Sequence, residues 1–162
     1  MKPISDLITN RINRHGRGWV FSARDFLDLG SRDAVDQALS RLAKAGRIRR
    51  LARGLYDFPK ASKIVGIVPP SSGSVAAALS RKVKNGLQPP PALAANSLGL
   101  SNQVPARPVF LTSGMSRTIK AGGVTIALKK TTPRKMTAAG DAAGTVLQAL
   151  YAVKDISPDQ AA

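Results

Sequence analysis

Ile4, Leu7, Ile8 and Ile12 recur three and four residues apart, the period of one helical face, and His15-Gly16-Arg17-Gly18 supplies the stop. Ser5 is placed to cap this helix, and Asp6 suits its positive start. Trp19-Val20-Phe21 favours β structure but is long enough only for a small strand. Ser22-Ala23-Arg24-Asp25 has the form of a capping box, with Asp where Glu or Gln is usual. It opens a short helix carrying Phe26, Leu27 and Leu29, which Gly30 closes. Ser31 then caps a longer helix, Arg32 to Ala45, whose inward face is Ala34, Val35, Ala38, Leu39, Leu42 and Ala45. Gly46 ends it.

Beyond Gly46 the period changes to two. Arg47-Ile48-Arg49-Arg50-Leu51 and Gly54-Leu55-Tyr56-Asp57-Phe58 alternate, and Ala52-Arg53-Gly54 joins them as a tight hairpin that Pro59 terminates. Two helices across a Gly-Ser turn, followed by a two-stranded ribbon, predict a winged helix-turn-helix. Ile64–Val68 reads as a short strand before the turn-rich Pro69-Pro70-Ser71-Ser72-Gly73. Val75 to Asn85 reads as a helix whose Arg81, Lys82 and Lys84 suit its negative end. After the stiff Gln88-Pro89-Pro90-Pro91, one or two helical turns cover Ala92 to Leu98. Arg107-Pro108-Val109-Phe110-Leu111-Thr112-Ser113-Gly114 reads as a strand entering a turn, and Arg117–Lys120 and Val124–Lys129 form a hairpin around Ala121-Gly122-Gly123. A last amphipathic helix runs from about Asp141 to Val153, with Val146, Leu147, Leu150 and Tyr151 expected on its buried side.

The expected fold class is α+β: a winged helix-turn-helix over 1–63, then a small mixed α/β domain with a mainly antiparallel sheet over 64–155. Residues 156–162 are expected to be a frayed tail.

Charge sharpens this picture. Twenty-five Lys and Arg face nine acids, every one an Asp, for a net charge of +16. The excess is shared, with 14 basic and 6 acidic residues in 1–63 and 11 and 3 in the remainder. A field of this sign attracts polyanions, nucleic acid above all. A basic ribosome-like protein or a compositional bias of the genome gives the same balance. The absence of cysteine excludes disulfides and sulfur-ligated zinc. No apolar run reaches the length of a membrane span, and Met1–Asp6 has no apolar centre of a signal peptide, so a cytoplasmic protein without membrane contact is expected.

The candidate surface is the outward face of the longer helix with the ribbon behind it: Ser31, Arg32, Gln37, Ser40, Arg41 and Lys44, then Arg47, Arg49, Arg50 and Arg53. These side-chain types read base edges and phosphates. A solvated helix and a basic edge strand that resists aggregation look the same in sequence. Catalysis is not expected. The single histidine, His15, sits at a helix end, where a capping or phosphate contact is the better reading. Ser113 and Ser116 lack a base, with Lys120 and Lys129 as remote candidates, and Gly122-Gly123 is explained by the hairpin. No metal or cofactor is expected.

Several segments taken together resemble the AbiEi-type antitoxin family and, more narrowly, its uncharacterised bacterial relatives. They are Trp19-Val20-Phe21-Ser22 with Asp25-Phe26; Val35, Ala38-Leu39, Leu42, Gly46, Ile48, Arg50 and Gly54-Leu55-Tyr56; and Leu98-Gly99-Leu100-Ser101-Asn102-Gln103-Val104-Pro105 with Val109-Phe110-Leu111-Thr112. The similarity runs over about Ile4 to Tyr151. It implies a type IV toxin–antitoxin antitoxin whose winged helix binds inverted repeats in its own promoter and represses the operon. The second domain would then act against a nucleotidyltransferase-type toxin. By position in the motif, Arg32, Arg41, Lys44, Arg49, Arg50 and Arg53 correspond to the family's DNA contacts. The other reading of the same charge is a basic adaptor or RNA-binding protein without a toxin partner.

Overall fold

The computed structural model describes residues 1–83 and 85–155. The expected tail 156–162 and Lys84 lie outside them. The chain is α+β and gathers into two compact units, one of Met1–Lys82 with Lys120–Val124, the other of Val83–Ile119 with Thr125 onward. The division falls at Lys82 rather than at the sequence boundary of 63/64. No helix among the described residues is long and apolar enough to cross a membrane.

In the first unit, helix α1 (Ile4–His15) starts one residue before Ser5, with Pro3 as its N-cap and no side-chain cap. Pro3 has its φ preset at −57° and needs no side-chain partner to turn the chain into the helix. Strand β1 (Val20–Phe21) follows. The helix expected next shrinks to a 3-10 turn, Ala23–Phe26, in which the Asp25 carboxylate accepts from the Ser22 backbone N–H at 2.8 Å. So short a segment between Ser22 and Gly30 forms too few backbone bonds to offset helix nucleation. Helix α2 (Arg32–Lys44) is capped as expected, Ser31 Oγ accepting from Ala34 N at 3.3 Å.

Strands β2 (Arg49–Ala52) and β3 (Leu55–Asp57) complete an antiparallel sheet of order β1-β3-β2. Ile8, Ile12, Phe21, Phe26, Val35, Leu39, Leu42, Ile48 and Tyr56 form the core between helices and sheet. Five of the chain's seven aromatic residues sit in this unit. Trp19, Phe21, Phe26 and Tyr56 pack as neighbouring rings, with Phe21 and Phe26 edge-to-face at 5.5 Å.

Pro59 does not end the β structure. A second hairpin, β4 (Lys60–Ser62) and β5 (Gly66–Val68), follows it, and Ile64 and Val65 form its exposed connection rather than a strand. Helix α3 (Ser72–Lys82) starts and ends three residues earlier than its sequence pattern suggests. It docks on β1: Arg81 pairs with Asp25 at 2.7 Å and donates to the Val20 carbonyl at 2.8 Å.

The second unit contains helix α4 (Pro91–Ser97), strands β6 (Val109–Thr112), β7 (Arg117–Ala121) and β8 (Val124–Lys130), and helix α5 (Ala142–Asp155). The sheet order is β6-β8-β7, with β6 parallel to β8. Gly122 and Gly123, both at positive φ, turn β7 into β8, and a turn this tight joins only antiparallel strands. The tip of that hairpin belongs to the first unit, where Gly122 N donates to the Leu51 carbonyl at 3.3 Å.

The expected buried side of α5 is reversed. Gly144, Gln148 and Ala149 are buried, whereas Val146, Leu147 and Leu150 are exposed and Tyr151 is half-buried. Ala94 and Ala95 of α4 meet Ala149 and Ala152, and small side chains on both helices permit a close approach. Gln88 is fully buried beside them, its Nε2 donating to the Thr137 and Gly144 carbonyls at 3.2 Å each.

Candidate nucleic-acid interface

The inward side of α2 is Val35, Ala38, Leu39 and Leu42, which leaves Arg32, Asp33, Asp36, Gln37, Ser40, Arg41 and Lys44 exposed along the other. Arg32 Nε donates to Asp36 Oδ2 at 2.8 Å one turn away. Both partners are solvated, so the pair adds only about 0.2–0.5 kcal/mol while it aligns Arg32 along the helix. The side chains of Arg41 and Lys44 have no hydrogen-bonding or ionic partner among the described residues.

Ribbon pairing decides what each arginine faces. Cross-strand partners point to the same side of a sheet, and neighbours along a strand point to opposite sides. Phe21 is paired with Tyr56 and Tyr56 with Arg50, and both aromatics enter the core that holds α2. Arg50 therefore emerges, exposed, on the sheet face that carries α2. Arg49 is paired with Asp57 and Asp57 with Val20, on the opposite face.

There Arg49 forms a fork with Asp57, at 3.0 Å from Nε to Oδ1 and 2.6 Å from the second nitrogen to Oδ2, and it also donates to the Val68 carbonyl at 3.3 Å. Asp57 is 1% exposed. The hydrogen bond to Asp57 raises the Arg49 pKa further above its ordinary value, so the guanidinium stays charged at every working pH. Arg49 is thus held on the sheet face away from α2, because its strand position and the buried carboxylate across from it claim the guanidinium.

Arg53 and Gly54 make the β2–β3 turn, Gly54 at φ +69°. This turn borders a hollow of about 240 Å³ that is also lined by Ser22, Arg24, Arg32 and Lys82. Arg24 donates to the Lys82 carbonyl at 3.0 Å, and Lys82 Nζ donates to the Arg53 carbonyl at 3.2 Å. The first residue of α2, the turn of the ribbon and the end of α3 thus surround one concave site whose charged residues are all cations. Arg47 is exposed but lines a different hollow, with Arg17, Asn13 and Thr9.

The sequence profile of a family of unknown function, DUF6088, matches residues 7–161. The chain belongs to this family. No curated protein and no solved structure matches it significantly.

In this DUF6088 chain, two cations that sequence reasoning leaves out of the site, Arg24 and Lys82, belong to the hollow. Arg24 lies inside the capping segment, and Lys82 is explained in sequence by the helix dipole alone. Neither position carries a local signal, because what brings them together is α3 packing on β1. His15 stacks on Trp19 with ring centroids 3.8 Å apart and planes 13° from parallel, a packing role in place of a cap. Among the described residues no group of His, Asp or Glu is placed to hold a metal ion.

Proposed function

We propose that the first unit is a winged helix-turn-helix that binds double-stranded DNA. Helix α2 enters the major groove with Gln37, Ser40, Arg41 and Lys44, and the β2–β3 ribbon is the wing, with Arg50 and Arg53 along phosphates. The observation that carries this reading is the shared hollow, where Arg24, Arg32 and Lys82 meet the ribbon turn in a pocket of one charge sign. A phosphate there would meet donors from three elements at once, which fixes register on a duplex without reading sequence.

The resemblance to AbiEi-type antitoxins extends the proposal: the DNA is the promoter of the protein's own operon, bound as inverted repeats in the cytoplasm, and the chain counters a nucleotidyltransferase-type toxin. Two copies on such repeats occupy half-sites about one helical turn, or a multiple, apart.

Fluorescence anisotropy with a duplex from the region upstream of the gene tests the DNA part. It should bind more tightly than a shuffled duplex and than an RNA hairpin of equal charge. Tighter binding to the RNA would instead favour an RNA-binding adaptor. Co-expression with the protein encoded next door tests the antitoxin part: growth should be restored by the intact chain, and failure to restore it removes that part alone.

A further inference from the structure

A second concave site, of about 340 Å³, lies wholly within the second unit, lined by Val83, Asn85 and the loop from Thr112 to Arg117. Its polar groups are unusual in their direction. Thr112 Oγ1 accepts from Gly114 N at 3.1 Å, Ser113 Oγ accepts from Asn85 Nδ2 at 3.1 Å, and Ser116 Oγ accepts from Lys130 N at 2.9 Å. Each hydroxyl oxygen is thus engaged as an acceptor, and its own O–H is left to donate. Among the described residues none of these O–H groups has an acceptor.

Arg117, exposed at the end of the same loop, has no hydrogen-bonding or ionic partner among the described residues either. Between residues 83 and 154 the sequence holds one acid, Asp141, and it is not among the residues lining the site. Three hydroxyls free to donate and a guanidinium, with no carboxylate among the lining residues, suit a ligand that only accepts hydrogen bonds and carries negative charge.

We propose that this loop binds a phosphate monoester, its phosphoryl oxygens taking the O–H groups of Ser113 and Ser116 and the guanidinium of Arg117. The volume is at the lower end of small-ligand pockets, roughly 300–1,000 Å³, which leaves room for more than the phosphoryl group itself. Val83 and the 82%-exposed Met115 supply an apolar rim against which a ring can rest. A mononucleotide and the 5′-phosphorylated end of a nucleic-acid strand share this chemistry. The site is independent of the DNA surface proposed for the first unit.

The test titrates the full-length protein with adenosine 5′-monophosphate, and separately with a 5′-phosphorylated DNA trinucleotide, at fixed ionic strength, following backbone amides by NMR. Saturable shifts at Gly114, Met115 and Ser116 are expected. Arg117→Gln should weaken binding by about tenfold, the loss typical of one charge-assisted hydrogen bond, and Ser116→Ala or Ser113→Ala by less. Equal affinity for the two probes identifies the small molecule as the ligand class, and tighter binding of the trinucleotide identifies the strand end. Shifts that never saturate, that spread over surface cations at large, or that Arg117→Gln leaves unchanged overturn the proposal.

Discussion

Arg49 and Arg50 are neighbours in sequence and opposites in the sheet. Removing the Arg49 side chain leaves Asp57 buried without a counter-charge, so Arg49→Ala should lower unfolding free energy by about 3 kcal/mol in urea denaturation, at the lower edge of buried-pair losses because Arg49 itself is partly solvated. Arg50→Ala should change stability by no more than about 0.5 kcal/mol and show its effect in DNA affinity. If the two substitutions have equal effects on stability, the face assignment is wrong. Counting outward from the Arg53-Gly54 turn sets Arg50 opposite Asp57, and only the register shift between Arg50 and Ala52 brings Arg49 there, so the pairing is not legible in the sequence. Nor does the sequence reveal how deeply Asp57 is buried, which depends on segments far along the chain.

Arg11 and Asp28 give a pH signature at the same scale. Their hydrogen bonds, both 2.6 Å, hold the Asp28 carboxyl below the ordinary carboxylate range. A carboxyl depressed in the folded state stabilises above its unfolded pKa, about 4, and loses that contribution as pH falls through the lower folded value. The melting temperature of wild type should therefore exceed that of Asp28→Asn by a small margin near pH 6, and the margin should vanish toward pH 2. A margin that persists at low pH would contradict it.

At the scale of elements, the helical periods of α1 and α2 are readable because each has one apolar face and a flanking glycine. Helix α5 has the same kind of pattern and packs the other way. Its neighbour α4 offers alanines, and Gly144 leaves no room for a side chain: a Cβ there would run into the Ala138 carbonyl and sit 2.7 Å from Gln88 Oε1. Close approach selects the small face, and the larger residues are left outside. Gly144→Ala should accordingly destabilise the protein by about 1–3 kcal/mol, the usual range for overpacking. Leu150→Ser should cost less than about 1 kcal/mol. Ile126→Ala, in the fully buried interior, should cost about 2–5 kcal/mol. A loss at Leu150 as large as that at Ile126 in thermal denaturation would contradict the reversed face of α5. Of the β4–β5 hairpin, β5 lies within the Ile64–Val68 strand read from the sequence, whereas β4 is hidden for a different reason, since it carries a Lys and a Ser and buries little.

Over the whole molecule, a charge of +16 attracts polyanions of any kind, so binding to nucleic acid by itself would distinguish little. Neither the return of residues 120–124 to the first unit nor the placement of Arg24 and Lys82 can be read from local pattern, because each depends on packing across long sequence separations. The salt dependence of binding to the upstream duplex, for wild type and for Arg50→Ala with Arg53→Ala, tests the central claim most directly. If α2 and the β2–β3 ribbon share one duplex, the slope of log affinity against log salt flattens by about one unit for each phosphate that the variant no longer engages. A double variant whose slope and affinity both match wild type would contradict it.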